Sequence, residues 1–343
     1  MISYSKVLSM IKRVVKPSCP HHAQIFVTRK CNYRCRDCNV WMNQESKELS
    51  TEEVIRSLDI LHEIGVLEIV FSGGNPLLRD DMGEIIDHAS KYFITTVYDN
   101  GSLAANKIDE IRNADFVAIS LDTLDEKKND YLKGVNGAWR RAMDAIDTLK
   151  KEGIHVGVSP TISQMNLYEI IDFTKFFIKR EIPVWYCLYA YDYSFNNSAF
   201  SIGIKNDEYE IADRKTLAEI CSLLMEMKKK SGCIYITDRT LKAIRHLALT
   251  GERSWECRAL ENFLVVDHLG RVSSCHCRDP IASIFDLPKI WKSPDIERLR
   301  NEYRQCTRCV YLCYIFYSVH AGFPGLMDII IDQRKNVKAY MGK

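Results

Sequence analysis

No stretch of this sequence approaches the ~20 apolar residues of a membrane-spanning helix. The N-terminus has no apolar core followed by small residues, as a secretion signal would. Charge of one sign is also missing. Lys and Arg number 47 against 45 Asp and Glu, a formal net charge of +2, so no global field draws the chain to nucleic acid. A disulfide framework is absent from the cysteine spacing: the total of 13 is odd, and eight fall into two groups, 31/35/38 and 257/275/306/309/313. Such clustering with C-x2-C pairs favours metal over disulfides, and with it a reducing, cytoplasmic setting. No adjacent domain that would grip a leader peptide is visible, which we read against peptide maturation.

The remainder is ordinary in bulk. With 46% apolar and 27% charged residues over 343 positions, the chain can bury one large domain with an appendage, or two domains. At the start, Ile2, Val7, Leu8, Ile11, Val14 and Val15 alternate with Lys6, Lys12, Arg13 and Lys16. Residues 1–22 therefore read as a basic amphipathic segment. Either residues 1–16 touch a membrane surface peripherally, or the helix caps the bottom of the fold.

The most informative stretch follows an apolar run from Ala23 to Thr28. Cys31, Cys35 and Cys38 are spaced C-x3-C-x2-C in a loop. Iron–sulfur clusters are normally held by four thiolates, so three leave one iron open to a small molecule unless a fourth ligand arrives. A structural zinc site is the competing reading, but it wants four ligands, and His21 and His22 sit at unhelpful spacing.

Downstream, short apolar runs alternate with helical periodicity. Ser50 and Glu53 form a capping box for a helix closed by Gly65. Strands are expected at Leu67–Phe71, Phe93–Tyr98, Phe116–Leu121, Ile154–Pro160 and Pro183–Tyr191. Helices are expected from Asp81 to Lys91, along the Trp139/Met143/Ile146/Leu149 face, from a second capping box at Asn166 and Glu169 to Lys179, and from Asp207 to Lys230. Two glycines, Gly73 and Gly74, follow the second strand and permit close backbone approach. Asp122 ends the fourth strand, where a turn-forming N-cap role is equally open. Residues 194–205 read as a polar loop. Phe263–Val266 and Arg271–Ser274 read as a hairpin. Cys187, on the sixth strand, could donate a hydrogen atom from inside a barrel or be a small buried hydrophobe. Cys19, Cys221 and Cys233 read as filler.

The cysteine triad after a first strand resembles the signature of the radical S-adenosylmethionine (radical SAM) superfamily. That resemblance implies an α/β fold, a partial (β/α)6 TIM-type barrel over residues 23–205. It implies a [4Fe–4S] cluster on Cys31, Cys35 and Cys38, with S-adenosylmethionine (SAM) at the open iron. Ser72-Gly73-Gly74-Asn75-Pro76 is similar to the family's Gly-Gly-Glu-Pro segment, with Asn75 in place of the acid. Asn100, Ser120 and Asp122 match strand endings that meet SAM in the family, and Lys133 stands where relatives often carry Arg.

After a helical connection over 206–250, residues 251–343 resemble SPASM and twitch domains, small cysteine-rich hairpin-and-helix units. The resemblance implies one auxiliary [4Fe–4S] cluster on Cys257, Cys275, Cys306 and Cys309. Cys313 is a rival for the last place, and Cys277 lies in a Cys-His-Cys run. A zinc ribbon is the alternative there.

The expected function is reductive cleavage of SAM and hydrogen abstraction from an unactivated carbon. The substrate is expected to be a small molecule or lipid-like, a lean taken from the amphipathic start and the apolar tail from Ile315 to Met327. The alternatives are maturation of a peptide or cofactor precursor, or a non-catalytic zinc or iron–sulfur interaction or redox-sensing protein. A ferredoxin or flavodoxin is the expected electron donor, and no nucleic-acid partner is expected.

Overall fold

A computed structural model describes residues 20–42, 47–191, 200–307 and 310–333. The expected N-terminal amphipathic segment up to residue 19, with Cys19, lies outside these residues, as does Cys309.

Five strands run parallel and side by side in chain order: β1 (His22–Thr28), β2 (Glu68–Gly73), β3 (Ile94–Asp99), β4 (Phe116–Ser120) and β5 (Val156–Ser159). Between them lie α1 (Thr51–Ile64), α2 (Met82–Ala89), α3 (Ile108–Ile111), α4 (Glu126–Lys133) and α5 (Ala138–Lys151). Short apolar runs with helical crossovers produce this arrangement, because parallel neighbours need a long return path. Ile69, Phe71, Val97 and Val117 are fully buried against those helices. The first capping box forms as read: Ser50 accepts from the Glu53 N–H, Glu53 returns the bond, and Gly65 closes α1 in the left-handed region.

The sixth strand is broken. β6 (Thr161–Ile162) pairs in parallel with β7 (Cys187–Leu188), while Val184 bridges to Val158 on one side and Ile234 on the other. Pro160 supplies a carbonyl to the Cys187 N–H at 2.9 Å but has no N–H to return, so the ladder lapses there. Among the described residues the strands make an open, partial barrel without closure.

Two helix expectations need correction. The second capping box does not form. Asn166 is buried and turns its amide to Ser163, Thr161 and Asp122, and residues 167–169 make a 3₁₀ turn before α6 (Ile170–Lys179). The next helix, α7 (Arg214–Lys228), starts later than position 207, because the Asp213 carboxylate caps it by accepting from the Thr216 N–H.

α8 (Asp238–Thr250) packs on α7, and then the chain returns to the sheet. β8 (Phe263–Val266) pairs in parallel with β1. β9 (Arg271–Ser273) and β10 (Ala282–Ser283) continue antiparallel, so the order is β10-β9-β8-β1-β2-β3-β4-β5. The hairpin turn forms as read, with Gly270 at φ +75° and the Asp267 carboxylate accepting from the Leu269 and Arg271 N–H groups. Four helices close the described chain: α9 (Leu287–Ile290), α10 (Pro294–Arg304), α11 (Leu312–Val319) and α12 (Gly322–Asp332). Tyr314, Ile315 and Val319 of α11 are buried, so this part of the apolar tail packs on the protein itself.

Candidate functional site

The loop bearing Cys31, Cys35 and Cys38 leaves the C-terminal end of β1 and is fixed from three directions. From β2, the Gly74 N–H bonds Thr28 O and the Asn75 N–H bonds Lys30 O, both at 2.8 Å. From α4, the carbonyls of Lys133 and Leu132 accept from the backbone N–H groups at positions 34 and 36. From residues 202–204, Gly203 bridges Cys38, and the Ile204 N–H bonds Asp37 O at 3.1 Å. The glycines have a concrete cause. A Cβ on Gly73 (φ +120°) would lie 2.2 Å from Thr28 O, one on Gly74 1.9 Å from Lys30 O, and one on Gly134 2.1 Å from Arg34 O. Their absent side chains are what let the loop lie this close to its supports.

The electrostatics of the loop suit a metal core. Burial raises all three thiols, Cys38 to about 12; the Cys31 charge adds to the cost at Cys35 and Cys38, and the Cys38 charge to that at Cys35. Asp37, between Cys35 and Cys38, is pushed up to about 6 by burial and by Asp122. Burial also disfavours the charge on Lys133, but Asp122, Cys35 and Asp37 outweigh it and raise that group. A positive metal core would relieve this crowding and hold the thiols as thiolates. Among the described residues no three His, Cys, Asp or Glu side chains close on one point as a single ion requires. An iron–sulfur cubane asks for a wider triangle, because each thiolate takes its own iron.

Around the loop lie the other residues singled out from the sequence. The Lys133 ammonium sits 2.7 Å from Asp122 Oδ2, with both side chains under 10% exposed. Asp122 Oδ1 also accepts from the Thr161 N–H at 2.9 Å. Asn75 is buried; its NH₂ donates to Asp99 at 2.7 Å and to Asn100 at 3.1 Å, and its oxygen accepts from the Leu77 N–H. Asn100 donates to Asn32 at 2.8 Å and reaches the Cys31 thiol. Ser120 ends β4 opposite Ser159 of β5. Sequence reasoning passed over Asp37, Asn32, Asp99 and Ser102. Asn32 and Asp37 are polar residues between the cysteines, and Asp99 and Ser102 are polar residues at the end of β3.

The inner face of the sheet is polar. Gln24 donates to Ser72 at 2.7 Å and meets the His276 ring at 3.0 Å; His22 meets Glu68 at 3.2 Å, and Tyr317 of α11 donates to the same carboxylate. Cys187 Sγ lies 3.7 Å from Ser159 Oγ and also bonds Tyr98, within reach of the Asp122 and Lys133 charges. Burial pushes its thiol up.

Of the second cysteine group, Cys257, Cys275 and Cys277 are buried, and Cys306 is half-buried. An Arg278 nitrogen donates to Cys306 Sγ at 3.8 Å, and this guanidinium also feels Cys275. Cys313, on α11, acts on Tyr98, Tyr314 and Tyr317.

Residues 25–177 match the family model of the radical SAM superfamily, and the domain they form belongs to it. The similar curated proteins include molybdenum cofactor biosynthesis protein 1 of Dictyostelium discoideum, 34% identical over 185 residues, 49% of this chain and 29% of that protein. An AdoMet-dependent heme synthase of Oleidesulfovibrio alaskensis is 31% identical over 166 residues, 47% of this chain and 43% of its own. The alignments thus span less than half of these relatives. Among solved structures, Streptococcus suis SuiB bound to precursor peptide SuiA superposes with a TM-score of 0.63 at 19% identity, covering 86% of this chain and 70% of that one, a likeness of fold. Among the described residues no helix is long and apolar enough to cross a membrane.

Proposed function

We propose that this chain is a radical SAM enzyme, acting through a [4Fe–4S] cluster on Cys31, Cys35 and Cys38 with SAM beside it. When bound, that pair supplies one-electron cleavage of SAM to a 5′-deoxyadenosyl radical. The observation that carries the reading is the cysteine loop itself, three crowded thiols fixed at the mouth of an open parallel barrel and matched to the family over residues 25–177.

Each neighbour then has a task. The loop backbone, held by Gly73 and Gly74, fixes the thiols. Asn75 and Asn100 orient polar groups at the β3 end, Ser120 lines the β4 end, and the Asp122–Lys133 pair presents balanced charge to a zwitterionic ligand. The substrate carbon lies in the barrel interior, where a hydrogen atom is taken from it. Cys187, bonded to Ser159 and Tyr98 there, is the residue able to return one.

The polar inner face suits a peptide or a polar small molecule better than a lipid-like substrate, and the SuiB–SuiA complex supports a peptide. Cys257, Cys275 and Cys306, with Cys309, are the ligands of a proposed auxiliary cluster in residues 251–343; the Arg278 contacts to Cys275 and Cys306 support this grouping.

Oxygen-free purification tests both clusters. About eight iron atoms per chain are expected, four for each cubane. Reduction with dithionite in the presence of SAM should yield 5′-deoxyadenosine. Replacing Cys31, Cys35 and Cys38 together by Ala should remove about half of the iron and all SAM cleavage. Zinc without cleavage would instead indicate an interaction protein.

A further inference from the structure

Glu68 opens β2 on the inner face of the sheet, at the end away from the cysteine loop. Its carboxylate is surrounded by protein, yet 26% of the side chain stays accessible. His22 Nδ1 lies 3.2 Å from Oε2, and the Tyr317 hydroxyl donates to the same oxygen. Burial opposes the charge, but these two contacts outweigh it and hold the carboxyl below its usual range. With Glu68 ionised, the shared proton sits on His22 Nδ1. The other oxygen, Oε1, has no hydrogen-bond partner among the described residues, and neither has the buried His22 Nε2. No Lys or Arg among the described residues pairs with this carboxylate.

Ser72, Tyr98 and Ser120 share that inner face and are half-buried, as Glu68 is, whereas Ile69, Phe71 and Val97 on the opposite face are fully buried. Of these inner side chains only Glu68 carries a formal charge, and the Asp122–Lys133 pair nearer the cysteine loop balances itself. A tie between α11 and the sheet needs no such charge. Tyr317 could donate to a neutral amide as well, and Tyr314, Ile315 and Val319 already bury α11 against the protein. An ionised carboxylate with one oxygen unsatisfied in a confined space is costly unless a cation meets it.

We propose that Glu68 receives a cationic nitrogen of the substrate, an ammonium or guanidinium carried on an arm of several bonds. From Glu68 to Ser72 the strand rises roughly 13 Å. Near the upper end of that rise Tyr98 bonds Cys187. The inference rests on the radical SAM reading, which puts the reacting carbon by Cys187; the nitrogen is then held well below it. A lysine or arginine side chain of a peptide has such an arm, and so has a small aliphatic amine. The free Glu68 oxygen gives either one a charge-assisted hydrogen bond. An anionic end would be repelled there, and a neutral alkyl end would leave Oε1 unpaired.

The test uses anaerobically purified holoprotein with SAM, and binding is measured by calorimetric titration. The probes are n-hexylammonium, n-hexylguanidinium, 1-hexanol and hexanoate, with the capped peptide Gly-Lys-Gly and its norleucine analogue. The wild type should bind the cations about 10- to 100-fold more tightly than hexanol, the scale of one hydrogen bond to a charged group, and hexanoate least of all. Added salt should change this preference little, because an enclosed pair is poorly screened. Glu68→Gln keeps an acceptor for Tyr317 and His22 but not the charge. It should retain its iron and its urea midpoint while the preference for cations falls to within about threefold. A lysine peptide that outbinds its norleucine analogue marks a peptide as the source of the cation; a preference confined to the free amines marks a small molecule. Equal binding of hexylammonium and hexanol by the wild type overturns the proposal, as does a preference that survives in Glu68→Gln or disappears in salt. If Glu68→Gln loses iron or stability, the wild-type ranking and its salt series still decide. A wild type that shows the preference but does not cleave SAM with dithionite sinks the radical SAM reading and leaves the cation site standing.

Discussion

Lys133 is set against two acids, buried Asp122 at 2.7 Å and half-buried Asp37 nearby. Removing one partner of such a pair leaves uncompensated charge in a dry place, which typically costs about 3–5 kcal/mol. Lys133→Met should therefore lower the midpoint of chemical denaturation and weaken SAM binding together, as followed by urea titration and calorimetry. Cys313 makes a different case. The long cysteine pattern left it competing with Cys309, yet its thiol acts on Tyr98 and Tyr317, which also surround Glu68 inside the sheet. Cys313→Ala should keep the full iron count, whereas Cys306→Ala should lose about four irons, read by iron and sulfide assay. The cysteine pattern already set Cys306 among the ligands and Cys313 as a rival for the last place; which way α11 turns Cys313 is what spacing does not show.

Elements were legible where their causes are local. The Ser50/Glu53 box, the Gly65 terminus and the Asp267–Gly270 turn are each set by side chains within a few positions, and all form. Asn166 and Glu169 carry the same signature as the first box and do something else. Asn166 spends its amide on Ser163, Thr161 and Asp122, and Glu169 bonds Thr123 and Lys128, because those distant groups compete for the side chains. The broken sixth strand likewise depends on where Pro160 falls opposite Cys187. At the α8–α11 junction, His320 sits 2.7 Å from Thr237, the N-cap of α8. Burial, helped by Arg239, lowers its pKa from 6.5 to about 4, so it folds neutral. The unfolded chain takes up a proton first as acid is added. This contribution to stability is thus complete above the unfolded value and is lost as pH falls toward the folded one. His320→Gln should flatten the stability–pH curve between pH 6.5 and 4, measured by urea unfolding at a series of pH values.

For the whole molecule, the parallel barrel and its cysteine mouth were readable because a period of strand, helix and strand repeats along the chain. The junction of the two cysteine regions was not. Nothing near Phe263 signals that β8 will lie against β1, a pairing between residues far apart in sequence. That pairing covers one edge of β1, and α11 brings Tyr317 onto the inner His22 and Glu68. A chain stopped after residue 250 would uncover that edge and those polar groups. We expect it to aggregate or to be quickly digested, as size-exclusion chromatography and limited proteolysis would show.

The strand that delivers the first thiols is hydrogen-bonded along both flanks, to β2 and to β8. A rung held on two sides cannot slip by a residue without tearing both ladders. The run into the cysteine loop and the first strand of the C-terminal hairpin therefore move as one piece, tied by a shared register rather than by a linker.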